Sequence, residues 1–263
     1  LPVRRARIAA TLAAAALACG LAAPATPAPL PHPPSPIDAL RVASLTERIV
    51  KLHAQVAQGI LAARGRRALG AAIRELDRAV HDLGTPPPPS ELHERVAILG
   101  ILVGQYRGWA LRDPGRDVSL ALQERAEEIE WEARRIAALV PARAGSEQAL
   151  ATKAVEAGAE AERIARLLLW ERWRIAPAAS GHELAKAKAA LQGSLAELAA
   201  APQSDAASEA ELQVAENQAS FLFAASWSGE GGRRSLEYAV KASDNARESL
   251  DRLAALYVEE AAR

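Results

Sequence analysis

From Ile37 onward the apolar residues recur at helical spacing. Leu45, Ile49, Leu52, Val56 and Ile60 form one stripe, with steps of four, three, four and four residues. Leu69, Ile73, Leu76, Val80 and Leu83 form a second, Leu92, Val96, Leu99, Val103 and Tyr106 a third, and Leu122, Ile129, Ala133, Ile136 and Val140 a fourth. The interruptions are Gly65, Gly84-Thr85-Pro86 through Pro89, Asp113-Pro114-Gly115, and Pro141 to Gly145. Glycine and proline clusters of this kind end helices and turn the chain. Each stripe is one-sided, so each helix has to bury it against neighbours. A buried Leu or Ile contributes on the order of 2 kcal/mol, so four such faces are enough for a bundle.

The same order of events then recurs. A shift of 115 positions lays Glu47-Arg48-Ile49 on Glu162-Arg163-Ile164, and Leu52, Leu69, Leu76, Leu83 and Pro87 on Leu167, Leu184, Leu191, Leu198 and Pro202. Later, Arg135-Ile136-Ala137-Ala138-Leu139 meets Arg252-Leu253-Ala254-Ala255-Leu256 at a shift of 117. Alanine-rich helices match one another cheaply, so the leucine ladder and the two Glu-Arg-Ile triplets carry the argument. They predict an internal duplication with halves at 37–141 and 146–262. Each half is expected to have a long first helix, two shorter middle helices and a long last one. The expected fold is all-α: tandem antiparallel four-helix-bundle-like repeats, with a single fused bundle as the alternative.

Composition narrows the class. Half the residues are apolar while aromatics make up only 4%. That mixture suits closely packed helices better than a β-sandwich. Lys plus Arg equals Asp plus Glu at 32 each, leaving no basic excess to neutralise phosphates, so nucleic acid is not an expected partner. Arg4, Arg5 and Arg7 precede the apolar run Ile8 to Ala18, the order of a secretory signal peptide. Ala23-Pro24-Ala25 offers a cleavage site, giving a signal peptide over 1–25. Ala16-Leu17-Ala18-Cys19 offers a lipoprotein leader ending at 18, with Cys19 as the lipidated residue. Residues 26–36 are proline-rich and read as an extended tether. The expected location is periplasmic or secreted, with membrane attachment only through a lipid on Cys19.

The first helix carries a recognisable segment. Arg41-Val42-Ala43-Ser44-Leu45-Thr46-Glu47-Arg48-Ile49-Val50-Lys51-Leu52 resembles the G-R-Q-R-M-L-S-Q-R-M-A-K box that opens the PilJ-type domain of type IV pilus chemotaxis transducers. Related boxes open the periplasmic sensors of nitrate/nitrite histidine kinases. Ala161-Glu162-Arg163-Ile164-Ala165-Arg166-Leu167 stands at the same place in the second half. Glu211 to Gln218, ahead of Phe221 and Phe223, and Ser249 to Tyr257 also fit the pattern. The resemblance implies an extracytoplasmic helical module that senses or binds a small anionic or polar ligand. In the nitrate sensors an arginine in the middle of the box holds the anion across a dimer. Here that position is Ala43 in the first half and Gly158 in the second, and the box glycine is Leu40 and Val155. The flanking arginines remain as Arg41, Arg48 and Arg163, which are the candidate ligand-binding residues. With no membrane span or signalling region following the helices, signalling would need a partner protein. The alternative function is a non-catalytic envelope adaptor or structural bundle that binds another protein or a second copy.

Other candidates read more plainly. Arg41 and Arg48 are seven residues apart on one face, and read either as a clamp on a carboxylate or oxyanion or as solvated arginines whose stems cover the apolar stripe. Glu47 and Lys51 read as a surface i, i+4 pair. Trp170 and Trp173, with Trp109, Trp131 and Trp227 elsewhere, either fill gaps between helices or line a pocket. His182-Glu183 starts a zinc-protease box, but Lys186 occupies the place of its second histidine. Glu127, Glu128, Glu130 and Glu132 read as a solvated acidic face. No nucleophile motif or haem or metal signature is present, so the expectation is a protein without cofactor or catalysis.

Overall fold

A computed structural model describes residues 35–85, 90–140, 146–175, 177–201, 205–227 and 232–261. The expected signal peptide, the Cys19 lipidation site and the tether up to its last two residues lie outside the described residues. Pro36, expected in the tether, is already helical. It opens α1 (Pro36–Ala57), where its fixed φ and missing N–H cost nothing. Ser35 caps that end: its N–H and its hydroxyl donate to Asp38 Oδ2 at 2.8 and 2.7 Å.

The described chain is all-α, with α2 (Ala62–Leu83), α3 (Ser90–Ala110), α4 (Arg116–Leu139), α5 (Ser146–Arg172), α6 (Pro177–Ala199), α7 (Ala206–Trp227) and α8 (Arg233–Ala261) following α1. In the first half α1 packs on α2 and α4, α2 on α3, and α3 on α4. In the second half α5 packs on α6 and α8, α6 on α7, and α7 on α8. α1 and α5 also pack on each other. The apolar core is therefore continuous across both halves, and the described residues fall in one compact unit, not two separate bundles. α1 and α5 are the inner helices, buried on several sides at once. Their near-continuous burial from Val42 to Val56 and from Ala161 to Trp170 follows from that position.

The first break differs from the sequence reading. α1 ends at Ala57, and Gly65 lies inside α2 rather than between helices. A Cβ on Gly65 would stand 2.8 Å from Val56 Cγ2 and 3.0 Å from Gln55 Nε2. This glycine is needed for close approach of α2 to α1, not for a turn. The turn instead uses Gly59, at φ +69°. Its N–H donates to Val56 O at 3.0 Å, and the N–H of Ile60 donates to Gln55 O at 3.0 Å. This is a Schellman ending, which satisfies the last carbonyls and folds the next apolar residue back onto the core. Ile60 is fully buried there.

α5 ends in the same way. Arg174 has φ +52°, and its N–H donates to Glu171 O at 2.9 Å. Ile175 donates to Trp170 O at 3.1 Å and is buried. Every residue of this motif lies 115 positions after its counterpart in the first half. Arginine is the costly member, because a Cβ in the left-handed region is strained by roughly 1 kcal/mol. Arg174 is exposed, so Arg174→Gly should raise stability by about 0.5–1 kcal/mol in a urea titration, with the m-value unchanged.

Candidate functional site

The polar residues of the two boxes meet at the α1–α5 contact. Glu47 is paired with Arg166, and its second oxygen lies 3.6 Å from Arg163 Nε. In the reverse direction, Lys51 Nζ lies 2.8 Å from Glu162 and Arg48 Nε lies 4.0 Å from it. Glu47, Arg48 and Lys51 stand at the same places in the first box as Glu162, Arg163 and Arg166 in the second. Each box thus pairs its acid with the bases of the other. Lys51 and Glu162 have fully buried side chains, while those of Glu47 and Arg166 are 7% and 5% exposed. The reading of Glu47 and Lys51 as a surface pair is therefore corrected. With α5 packed on α1, that face is interior, and both residues pair across the contact instead of with each other.

The later helices extend the network. Asp244 of α8 accepts a hydrogen bond from Lys51 at 2.6 Å and is held by Arg64 of α2 at 3.1 Å. On the other side, Arg163 also reaches Glu130 of α4 at 3.0 Å and Glu160 at 3.1 Å. Burial alone would push the Lys51 ammonium down, but the charges of Glu162 and Asp244 outweigh it and hold it above the ordinary lysine range. Glu162 is pushed up by burial, which the lysine only partly offsets. Desolvation also opposes the charge on Arg163, yet Glu47, Glu160 and Glu130 raise it further.

Arg48 and Arg163 thus face carboxylates of this chain. Arg41 differs: it lines an open polar cleft of about 260 Å³ with Asp38, Glu75, Arg78, Ala79 and Asp82. Between α1, α4 and α5 the free space beside Ala43 and Arg163 is about 30 Å³, enough for one or two waters. At the second box the bare Gly158 is covered by the stem of Arg247, whose Cγ lies 3.6 Å from where a Cβ would stand. Arg247 reaches Asp251 at 3.2 Å and lies 3.9 Å from Glu75. Asp251 is pushed up to about 6 by burial, with Arg41 and Arg48 offsetting part of it.

The remaining candidates are dispersed. Trp170 is buried with Arg166 over its ring at 4.6 Å, and Trp109 lies between Arg112 and Arg125 at 3.7 and 4.7 Å. Trp173 packs against the core, and the side chain of Trp227 lies outside the described residues. Trp131 is 58% exposed. The acidic run divides: Glu132 is buried and paired with Arg95 at 3.4 Å, Glu130 holds Arg163 and Arg134, and Glu127 and Glu128 face solvent. Glu132 and Glu130 are thus not part of a uniformly solvated face. Among the described residues no three His, Cys, Asp or Glu side chains are grouped to hold a metal ion, and no helix is long and apolar enough to cross a membrane. No protein-family model, curated protein or solved structure significantly matches the chain.

The sequence reading selected the arginines of the box, took Glu47 and Lys51 for a surface pair, and gave no role to Glu162, Arg166 and Asp244. One signal was present: an acid followed four residues later by a base, repeated in both halves. Lys51→Met leaves Glu162 buried without its main partner and should cost roughly 3–5 kcal/mol in chemical denaturation. Adding Glu162→Leu should return at least half of that loss. Equal losses in the single and double variants would show that Lys51 matters for its packing and not for its charge.

Asp251 gives a pH-dependent check. Its carboxyl titrates near 6 in the folded chain against an ordinary value of 3.8, so the folded state favours the protonated form. Its contribution is fully present below about pH 4 and is lost as the pH rises through 6. Asp251→Asn should therefore raise Tm above pH 6, with the gain closing as the pH falls toward 4.

Proposed function

We propose that this chain is a non-catalytic helical adaptor of the cell envelope, exported by its leader, that works by binding another protein. One observation carries the reading: Arg48 and Arg163, the arginines that match the resembled box, face Glu162 and Glu47 of the same chain at 4.0 and 3.6 Å. The free space beside Arg163 is only about 30 Å³, the volume of one or two waters. Large apolar side chains stand instead at the surface, including Ile101 at 63% and Trp131 at 58% exposure. The export and envelope part rests on the leader-like pattern of residues 1–25 and on the resemblance to PilJ-type modules.

A second reading keeps a sensory, ligand-binding role and moves it to the cleft of Arg41. The alternation there of Asp38, Glu75 and Asp82 with Arg41 and Arg78 suits a ligand carrying both charges, such as an amino acid.

Two measurements separate the readings. A photo-crosslinking residue at 131 or 101 should give one discrete adduct in the producing cell, and the same residue at the exposed position 74 should give none. Absence of adducts from 131 and 101 ends the adaptor reading. In a thermal-shift screen of nitrate, carboxylates, amines and amino acids, the adaptor reading expects no stabilisation. A shift of several degrees that disappears in Arg41→Ala favours the second reading.

A further inference from the structure

The outer side of the α3–α4 pair carries an open groove of about 640 Å³. Ile98 and Leu102 of α3 line one wall. Glu124, Glu127, Glu128, Trp131 and Glu132 of α4 line the other. Ile101 stands exposed on α3 beside it. Such a surface leaves apolar area in water with no partner inside the chain.

The charges around the groove are unbalanced. Glu132 is occupied by Arg95 at 3.4 Å. Glu127 accepts only the Gln123 side-chain amide at 3.0 Å, and among the described residues no cation lies within ion-pair distance of Glu124, Glu127 or Glu128. Two arginines stand at the groove and are already engaged, Arg95 on Glu132 and Arg135 over Trp131 at 4.5 Å, while Arg125 lies over Trp109 at 4.7 Å. The groove is therefore an apolar strip with three unpaired carboxylates on one side. From Glu124 to Glu132 it runs about 12 Å, two turns of helix.

We propose that this groove binds a basic amphipathic helix of another protein, with one or two large apolar side chains seated between Leu102 and Trp131 and lysines or arginines on Glu124, Glu127 and Glu128. The proposal rests on the adaptor reading and adds the chemistry of the partner. A helix laid in a groove presents apolar anchors one turn apart, which matches the spacing of Ile98 and Leu102. The carboxylates steer the encounter and reject acidic helices, while the apolar strip supplies affinity.

The test uses the full chain and two labelled peptides of fourteen residues, one of Leu and Lys at amphipathic spacing and one of Leu and Glu at the same spacing. By fluorescence anisotropy the Leu/Lys peptide should bind at least tenfold more tightly than the Leu/Glu peptide, and added salt should weaken it. Trp131→Ala and the double variant Glu124→Lys with Glu128→Lys should each lower its affinity at least fivefold. Tyr238→Ala, on α8 and 65% exposed, should leave it unchanged. Far-UV circular dichroism checks that the variants keep their helices. Equal binding of both peptides, no binding, or an equal loss in Tyr238→Ala overturns the proposal. So does self-association by sedimentation that depends on Trp131, which would make a second copy the occupant. If the peptides fail while a crosslink from position 131 persists, the basic-helix chemistry is wrong and the adaptor reading stands. Loss of both removes both.

Discussion

Glu47, Lys51, Glu162 and Arg166 are charged groups set where an all-helical chain would ordinarily place leucine. Each pairs across the α1–α5 contact, acid of one box to base of the other. Apolar faces alone would let two alanine-rich helices slide past each other at little cost. Buried charges do not: a slip by one turn would leave several of them without partners, at roughly 3–5 kcal/mol each. The pairing therefore fixes the register of α1 against α5. The other helices follow, because α2 and α4 pack on α1, and α6 and α8 pack on α5. Asp244 carries the constraint outward by holding Lys51 and Arg64 together, which ties α8 to both α1 and α2.

The pairing also has the form of a two-fold interface, in which residue i meets j and j meets i. The shift of 115 positions that relates the leucine ladders also relates Glu47 to Glu162, Lys51 to Arg166, and the Gly59 and Arg174 helix endings. Ladders alone are weak support for a repeat, since amphipathic helices share them. A helix ending with the same two hydrogen bonds, and an ion-pair motif closing on its own copy, are demanding features that periodicity does not produce.

The all-α class and the breaks after α2 and α3 were legible because they depend on local signals: apolar spacing, glycine and proline. The stops at Gly84 and Asp113-Pro114-Gly115 fall where those residues stand. Gly65 misled because a glycine that permits close helix contact looks, in sequence, like one that makes a turn. The buried charges were illegible for a related reason. On a single helix Glu47 and Lys51 have the spacing of a surface pair, and only the position of α5 makes that face interior. Of the candidate arginines, Arg48 and Arg163 lie at the α1–α5 contact and Arg41 does not; their partners Glu162 and Glu47 stand on the opposite helix, more than a hundred residues away in sequence. Arg174 could not be foreseen either, since nothing local marks an arginine for a left-handed backbone.

The distribution of polarity bears on what the chain does. Arg48 and Arg163 are turned to internal carboxylates, while Arg41 lines an open cleft. The converse holds at the α3–α4 edge, where Ile101 and Trp131 face water and Glu124 and Glu128 have no cation partner among the described residues. Burying charge and exposing tryptophan both carry a free-energy cost for the isolated chain. The first cost is offset by pairing within the fold. The second is not offset by anything in the described residues, because Arg135 covers only one face of the Trp131 ring. A partner that covers Trp131 and brings its own positive charge would remove the apolar exposure and the charge imbalance together.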